Sequence, residues 1–339
     1  MSIKSRSSWL CIFAASLAGV MVTCGVLEVY YRFVAPSSIE YGLYQSDPEL
    51  GWAPSPNLSL LLTGTDLSGA KYPVVFKTNT DGFREWGDEN SAKLKVLFVG
   101  DSNTYDKISN EQTYFGVLKG LLNVEVFAIG AGGYGTLQEL ILLKRFIHKV
   151  NPGLFVLQFC SNDFSNNSFE IESSQIYRQQ IFYRPYQVNG LVKFREGQIY
   201  RFMNDNSYFF RDVDRKLQDL QFRYYHGYGP IDDNATWAKK LDAAERITLS
   251  LLEQIAAVVP RTTKLATFNC DTAVDDLTAR WIRISERSGF DVWPNVSREV
   301  ERQETQGRIV RQEDGGHWNP AGHSIVAYEL KKQIMPMLE

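Results

Sequence analysis

The chain has 339 residues, enough for one large domain or two modest ones with a sizeable core. Its hydrophobic content of 44% and charged content of 22% are those of an ordinary globular protein. The net charge is −3 and no block of Lys and Arg is present, so the composition argues against a nucleic acid partner.

The N-terminus departs from this composition. The segment Ser7–Leu27 contains no charged residue, and a helix of that length is about 30 Å long, the thickness of the hydrocarbon core of a bilayer. Lys4 and Arg6 precede it, and basic residues favour the cytoplasmic side. The sequence therefore predicts a single-pass anchor in the cell membrane, with the N-terminus cytoplasmic and the rest of the chain extracytoplasmic (periplasmic).

Two other interpretations of this segment stay open. It could be a cleaved signal peptide, although Phe33-Val34-Ala35 is a poor cleavage site. It could also end at a lipidated Cys24, although Met21-Val22-Thr23 is a weak lipidation signal. We favour a cytoplasmic tip and uncleaved anchor over residues 1–35.

The next segment, residues 36–90, is rich in turn-forming residues such as Asp47-Pro48 and Asp81-Gly82. Val74-Val75-Phe76 is typical of a short strand. We interpret residues 36–90 as a membrane-proximal, β-rich arm.

After residue 90, short apolar runs alternate with segments that have apolar residues at helical spacing. The runs predict strands at 95–99, 124–128, 154–159, 264–268 and 291–293. The spaced segments predict helices at 114–122, 136–150, 237–259, 277–288 and 320–335. Such alternation indicates right-handed βαβ units and a central parallel sheet in an α/β protein.

An insertion at about residues 165–235 separates the two halves of this pattern. It is dense in Phe and Tyr and poor in small aliphatic residues. Such a segment could form a lid, a platform for sugars or a lipid-facing surface. It could equally be a subdomain that packs its own aromatic side chains.

The four cysteines are too few for a disulfide scaffold. Cys11 and Cys24 lie in the N-terminal apolar segment. Cys160 and Cys270 each follow a predicted strand, so a bridge between them is possible. We favour buried free thiols.

Polar or glycine-rich residues follow the first three predicted strands, at the edge where open parallel sheets bind ligands. Gly100-Asp101-Ser102-Asn103-Thr104 follows the first strand and would place Ser102 at the start of the next helix, where a cap is the alternative interpretation. The glycines of 130–136 follow the second strand and can turn backbone N–H groups toward an anion. This loop lacks the lysine of nucleotide-binding loops. Asn162 follows the third strand and can donate from its amide.

A fourth group of residues lies near the C-terminus. Asn319 and Pro320 are typical of a helix start, so His317 lies in the loop before that helix. Two glycines separate it from Asp314, and a turn there can bring the carboxylate onto imidazole Nδ1. A serine nucleophile needs such an acid–histidine pair.

The other three histidines are weaker candidates for a base. His148 lies at a predicted helix C-terminus, where the macrodipole favours a cation. His226 lies in the insertion, and His323 lies in the first turn of the last helix with an expected structural role.

Taken together, these blocks resemble the SGNH (GDSL) hydrolase family, which is named for Ser, Gly, Asn and His in four separate blocks. They occur in the family's order as Ser102, Gly133, Asn162 and His317, with Asp314 three residues before the histidine. His-Trp-Asn-Pro-x-Gly-His at 317–323 and Asp81-Gly82-Phe83-Arg84 look like the membrane-anchored branch of the family. The resemblance covers about residues 91–339, except the insertion.

This resemblance implies a three-layer α/β/α sandwich with a flavodoxin-like central parallel sheet. It implies that Ser102 is the nucleophile, His317 its base and Asp314 the orienting acid. The oxyanion hole would be formed by the backbone N–H groups of Ser102 and Gly133 and by the Asn162 amide. No metal or cofactor is expected.

The predicted function is that of a serine esterase or acyl hydrolase, with acylated glycans of the cell envelope as the favoured substrate. The same residues could serve an O-acyltransferase for exopolysaccharide. They could also serve a lysophospholipase with the insertion as its lid. A non-catalytic glycan-binding scaffold is the alternative from another functional class. The expected partners are therefore an acylated carbohydrate or lipid and, through the N-terminal helix, the membrane.

Overall fold

The computed structural model describes residues 3–34, 42–174, 183–225, 234–271 and 276–338. Its helices are α1 Ile3–Phe33, α2 Tyr114–Leu121, α3 Thr136–Val150, α4 Asn162–Asn167, α5 Phe169–Ser174, α6 Gln198–Asn206, α7 Tyr208–Tyr225, α8 Asn234–Val258, α9 Asp276–Arg287, α10 Asn295–Thr305 and α11 Pro320–Ile334. Its strands are β1 Tyr44–Asp47, β2 Gly51–Pro54, β3 Ser59–Thr65, β4 Lys71–Lys77, β5 Glu85–Trp86, β6 Lys95–Gly100, β7 Glu125–Gly130, β8 Leu154–Phe159, β9 Pro185–Val188, β10 Leu191–Phe194, β11 Lys264–Asn269 and β12 Asp291–Val292.

The central sheet has the strand order β12-β11-β8-β6-β7-β5. Its strands β6, β7, β8, β11 and β12 are parallel, but β5 pairs antiparallel with β7. The prediction of a purely parallel sheet is therefore wrong at this edge, and the sheet is mixed. A two-residue strand has no periodicity that the sequence could reveal, and an antiparallel neighbour needs no crossover helix.

The five parallel strands follow the order 2-1-3-4-5 of a doubly wound fold. The first of them, β6, lies between β7 and β8. The helix that follows β6, α2, packs on one face of the sheet, whereas the long helix that follows β8, α8, packs on the other face. Such a switch point opens a crevice at the carboxyl ends of the strands. The topology thus predicts where a ligand binds before any side chain is considered.

Alternate residues of each strand supply two separate cores. In β6, Leu97 and Val99 pack with apolar residues of α3, α8 and α9 on one side of the sheet. Val96 and Phe98 pack with residues of α2, α10 and α11 on the other side. Because successive side chains of a strand point to opposite faces, a strand buried on both faces reads as a continuous apolar run. The result is three layers, helix–sheet–helix.

Of two helices that frame the site, α3 has the predicted boundaries, and α11 begins at the predicted residue and ends one residue earlier than predicted. Helix α3 spans Thr136–Val150 and is capped by Asn151, whose φ of 45° stops the helix before a proline. Helix α11 begins at Pro320, and the side chain of Asn319 accepts a hydrogen bond from the backbone N–H of Gly322 at 3.0 Å. This cap fixes the position of the loop that precedes α11.

The described part of the arm, residues 42–90, forms two antiparallel hairpins, β1–β2 and β3–β4, and ends with β5, the edge strand of the central sheet. The second hairpin is joined to the loop before α11 by backbone hydrogen bonds. The N–H of Glu313 donates to the carbonyl of Thr65 at 3.0 Å, and the N–H of Leu67 donates to the carbonyl of Arg311 at 3.1 Å. The arm therefore contacts the segment that carries the predicted base.

Helix α1 is long and apolar enough over Cys11–Phe33 to cross a membrane, and none of that stretch is buried in the protein. A signal sequence near the N-terminus meets the same criteria of length and apolarity. Its last turns contact the insertion, where Tyr31 lies against Phe209 with ring centroids 5.8 Å apart.

Cys160 and Cys270 form a disulfide, so the prediction of free thiols is wrong. Strands β8 and β11 are parallel neighbours in which Phe159 is paired with Asn269. The next residue of each strand is therefore brought beside the other, with the two Cα atoms 5.2 Å apart, within the usual range for a disulfide. The sequence could not show that these two strands are neighbours, because 110 residues separate the cysteines.

Candidate active site

Ser102 lies in a tight turn that directly follows β6. The backbone N–H groups of Thr104 and Tyr105 donate to the carbonyl of Asp101 at 3.1 and 3.0 Å. The expectation that Ser102 starts the next helix is not met, because α2 begins only at Tyr114. Turns and a short 3-10 helix fill the connection.

This turn is held by the neighbouring strand and by the C-terminal loop. Gln158, buried in β8, donates from Nε2 to Asp101 Oδ1 at 3.1 Å. Burial raises the pKa of the Asp101 carboxyl, and the hydrogen bond from Gln158 opposes that rise. The backbone N–H of Trp318 donates to Asn103 Oδ1 at 3.3 Å. Asn103, which follows the predicted nucleophile, is thus bonded to Trp318, which follows the predicted base.

The glycine-rich loop after β7 is shaped by its glycines and held by the arm. Gly133 has a φ of 74°, a conformation that favours glycine. No other residue fits at Gly132 without movement of Tyr44, because a Cβ there would lie 2.4 Å from Tyr44 Oη. Its N–H donates to Tyr44 Oη at 3.2 Å, and Trp52 Nε1–H donates to its carbonyl at 3.1 Å. Two aromatic residues of the arm therefore bind both backbone polar groups of one residue, Gly132.

Asn162 is the first residue of α4, just beyond β8. The turn before it is closed by the N–H of Asp163, which donates to the carbonyl of Cys160 at 2.9 Å. The N–H of Ser161 donates to the carboxylate of Asp271, which follows β11. The disulfide between the ends of β8 and β11 crosses the same place. The position of Asn162 thus depends on two adjacent strands.

His317 and Asp314 form a hydrogen-bonded pair in the loop before α11. Nδ1–H of His317 donates to Asp314 Oδ2 at 2.6 Å. The other carboxylate oxygen, Oδ1, accepts from the backbone N–H groups of Gly316 and His317 at 2.9 and 3.0 Å. With Nδ1 occupied in this way, Nε2 is the nitrogen left to act as a base.

The charges around this pair shift both pKa values. Burial lowers the pKa of His317, but the hydrogen bond to Asp314 and the charges of Asp106, Asp314 and Asp101 raise it to about 9. The hydrogen bond from His317 holds the pKa of Asp314 well below its usual range, against the opposing effect of burial. Asp314 is therefore ionised at neutral pH and favours the imidazolium form of His317.

His323 is fully buried and is bonded through both ring nitrogens. Its Nδ1 accepts from the backbone N–H of Tyr114 at 3.1 Å, so we assign the proton to Nε2, which donates to Asp106 Oδ2 at 3.2 Å. Burial lowers the pKa of His323, and Asp106 opposes that change. The same Asp106 oxygen accepts from Gln312 Nε2 at 2.7 Å. His323 thus links α11 to the connection after Ser102.

A cleft of about 1070 Å³ joins these pieces at the carboxyl ends of the strands. It is lined by all five residues that the sequence predicted for the site, namely Ser102, Gly133, Asn162, Asp314 and His317. His148 lies away from the cleft in the last turn of α3, and His226 lies outside the described residues. None of the described residues of the insertion lines the cleft.

The remaining wall of the cleft comes from the arm, which the sequence analysis did not connect with the site. Tyr44, Trp52 and the β3 residues Leu61–Thr65 line it. They precede Ser102 by 37 to 58 residues, and no motif marks them. Asp106 also lines the cleft. Its position four residues after Ser102 is a signal in the sequence that could have marked it as a site residue.

Within the described residues, one cluster has the side chains to ligate a metal ion: Cys160, Cys270 and Asp271. The two sulfur atoms are joined to each other in the disulfide. Metal binding by thiolates would require that bond to be reduced.

Comparison with known proteins gives likenesses of fold. No family model and no curated protein matches the chain. Among solved structures it is similar to TesA, with 12% identity over 72% of this chain and 99% of that chain and a TM-score of 0.40. It is similar to the acetyl xylan esterase AlAXEase, with 13% identity over 71% and 100% of the two chains and a TM-score of 0.40. A member of the lipolytic protein G-D-S-L family from Veillonella parvula shares 13% identity over 71% and 98%, with a TM-score of 0.36.

Proposed function

We propose that this chain is a membrane-anchored serine esterase of SGNH type, with Ser102 as nucleophile, His317 as base and Asp314 as orienting acid. The observation that carries the proposal is the 2.6 Å hydrogen bond between His317 Nδ1 and Asp314 in a cleft that Ser102 also lines. An oriented imidazole and a partly exposed serine that line one cleft are the groups that acyl transfer through an activated hydroxyl requires.

In this mechanism Ser102 Oγ attacks the ester carbonyl carbon while His317 Nε2 takes the hydroxyl proton. The tetrahedral intermediate collapses, the C–O bond to the alcohol breaks, and His317 returns the proton to the leaving oxygen. Water then attacks the acyl-enzyme by the same steps and releases the acid. Asp314 stabilises the imidazolium in both half-reactions.

The oxyanion would be held by the backbone N–H groups of Ser102 and Gly133 and by the Asn162 amide. Their support is that all three residues line one cleft and that each follows a different strand around the switch point. Each such donor stabilises a transition state by roughly 3 kcal/mol.

For the substrate, we propose acylated glycans of the cell envelope. The cleft is open and is lined by carboxylate and amide side chains such as Asp106, Asp271 and Gln312. Such groups suit a substrate rich in hydroxyls. The half-buried ring of Tyr44 in its wall offers an aromatic surface for a sugar ring.

For the location, we propose that α1 crosses the cell membrane with its N-terminus in the cytoplasm. The division into anchor 1–35, arm 36–90 and hydrolase domain 91–339 belongs to the same proposal. Its supports are the charge-free stretch Ser7–Leu27 behind Lys4 and Arg6 and the disulfide, a bond typical of extracytoplasmic compartments.

Replacement of the nucleophile tests the mechanism. Ser102→Ala in the purified full chain should lower the release of p-nitrophenol from p-nitrophenyl acetate by roughly a thousandfold or more, because no acyl-enzyme can form. Ser250→Ala, on the exposed face of α8, is the matched control and should leave turnover unchanged. A fluorophosphonate should label the wild type and the control but not Ser102→Ala. Undiminished turnover by Ser102→Ala would exclude the serine mechanism.

The substrate is tested separately from the mechanism. Acetate release from an acetylated polysaccharide should exceed fatty acid release from lysophospholipid in mixed micelles. The reverse ranking would replace the glycan by a lipid substrate while leaving the roles of Ser102 and His317 in place.

A further inference from the structure

Helix α6 carries an exposed apolar face. Ile199, Phe202 and Met203 stand at positions i, i+3 and i+4, so they lie on one side of the helix. Their exposed fractions are 82%, 64% and 39%. We call these three residues the α6 face. Adjacent large apolar side chains left in contact with solvent are typical of a surface that binds something.

The α6 face is exposed although the helix itself is held firmly. On its other sides, the ring of Tyr200 packs edge-on against Phe210 with centroids 5.4 Å apart, and its hydroxyl donates to Asp214 at 2.6 Å. The guanidinium of Arg201 lies 4.3 Å from the centroid of the Phe194 ring. The orientation of the α6 face is therefore set by packing.

The turn between α6 and α7 is bound to the end of α1. The carboxylate of Glu28 accepts hydrogen bonds from Ser207 Oγ and from the backbone N–H groups of Tyr208 and Phe209, at 2.8, 3.1 and 3.0 Å. Arg32 donates to the carbonyl of Asn206 at 3.3 Å. Because Glu28 thereby satisfies free N–H groups at the start of α7, this contact is specific.

Glu28 is also the first charged residue after the charge-free stretch Ser7–Leu27. If that stretch fills the hydrocarbon core, Glu28 lies at the membrane surface. Phe202 precedes Ser207 by five residues, which is about 8 Å along a helix. Interfacial helices insert their apolar side roughly 5–10 Å into the boundary between headgroups and acyl chains. The α6 face is thus within reach of the lipid.

We propose that the α6 face lies in the interfacial region of the bilayer that α1 crosses, so that the insertion is a second contact with the membrane. The inference rests on the proposed membrane placement of α1. Two contacts with the bilayer, one spanning and one interfacial, fix the angle at which the cleft is presented above the membrane, whereas a spanning helix alone would leave the tilt of the domain against the membrane unfixed.

The test places a fluorophore at defined positions of the full chain in nanodiscs of phosphatidylcholine and phosphatidylglycerol. The two thiols outside the disulfide, Cys11 and Cys24, are replaced by serine, and the environment-sensitive fluorophore NBD is attached to Phe202→Cys or Ile199→Cys. Ile309→Cys, another exposed apolar position with an exposed fraction of 42% but outside the insertion, is the matched control. Circular dichroism checks the fold of every labelled protein.

Nitroxide on the lipid headgroup should reduce emission from positions 199 and 202 by roughly twofold or more, and from position 309 much less, since only interfacial side chains lie within reach of headgroups. Equal quenching at 202 and 309 would overturn the proposal. Blue-shifted but unquenched emission at 202 would indicate a second copy of the chain on the α6 face and would also overturn it.

A label on native Cys24 separates this inference from the anchor. If acyl-chain nitroxide quenches the Cys24 label while position 202 stays unquenched, α1 crosses the membrane and the interfacial contact is wrong. If the Cys24 label is also unquenched, the anchor itself is wrong and the inference falls with it. Turnover of p-nitrophenyl acetate, measured on the same samples, reports independently on the proposed chemistry.

Discussion

The arm and the insertion are both additions to the α/β/α sandwich. They contact each other, where Ser46 Oγ donates to Asp205 at 2.6 Å, but they differ in what else they contact. Tyr44 and Trp52 of the arm bind the backbone N–H and carbonyl of Gly132, and the second hairpin of the arm is bonded to the loop of His317. The described insertion lines none of the cleft and is bonded to α1 through Glu28. Nearness in sequence to α1 therefore does not decide which addition contacts α1. The arm follows α1 directly yet supports the site, whereas the insertion follows the third site strand yet meets α1.

The largest expected effect concerns the acid–histidine pair in the loop that the arm contacts. Asp314→Asn should lower kcat/KM by roughly a thousandfold or more, because the imidazole loses the carboxylate that orients it and stabilises its cationic form. The wild-type kcat/KM should rise with pH as His317 loses its proton, toward its raised pKa of about 9. In Asp314→Asn the midpoint should move to lower pH, since the anion that raises this pKa is gone. Initial rates with p-nitrophenyl acetate between pH 5 and pH 10 measure both effects. An unchanged midpoint would show that another group controls the profile.

The same pair should make the stability of the fold decrease as pH rises, whereas kcat/KM increases. Because the pKa of His317 is raised from 6.5 to about 9, its contribution to the free energy of unfolding is complete below about 6.5 and is lost as pH rises through about 9. The melting temperature of the wild type should therefore fall between about pH 6.5 and pH 9 by more than that of His317→Ala, which lacks this contribution.

A smaller effect is expected from a single hydroxyl of the arm. Tyr44→Phe removes the oxygen that accepts from Gly132 N–H. The loss should be about 1 kcal/mol, or roughly a five- to tenfold fall in kcat with KM nearly unchanged, since the hydroxyl positions a loop rather than binding substrate. Tyr200→Phe removes a hydroxyl that donates to Asp214 within the insertion, at 2.6 Å, and is the matched control. Equal falls in kcat for the two variants would contradict the conclusion that the arm supports the site and the insertion does not.

The smallest effect is expected where the insertion meets α1. Glu28→Gln replaces the charged acceptor of the Tyr208 and Phe209 N–H groups and should weaken the contact by about 1 kcal/mol. Hydrogen exchange at the start of α7, measured on the full chain in nanodiscs, should become roughly fivefold faster. Turnover of p-nitrophenyl acetate should not change. Glu49 is an exposed glutamate of the arm that is paired with Arg145 of α3. Glu49→Gln is therefore the control for loss of one negative charge. A loss of turnover in Glu28→Gln alone would mean that the insertion also acts on the cleft.

The disulfide and the edge strand show where prediction from the sequence reached its limit. Strand runs and helical spacing are local patterns, so the five parallel strands and the helices that frame the site could be predicted within a few residues. Which strands are neighbours is a long-range property. The pairing of β8 with β11 brings Cys160 to Cys270, and the pairing of β5 with β7 makes the sheet mixed.

The candidate site divides in the same way. The sequence by itself determined that Ser102, Gly133, Asn162 and the Asp314/His317 pair would each follow a strand or precede a helix, because turn glycines and the Asn319 cap act over a few residues. Only the tertiary structure decided that Tyr44 and Trp52 stand beside Gly132 and that Asp106 joins His323 to the loop of His317. These contacts join segments far apart in the chain, and they depend on packing between elements that no local pattern records.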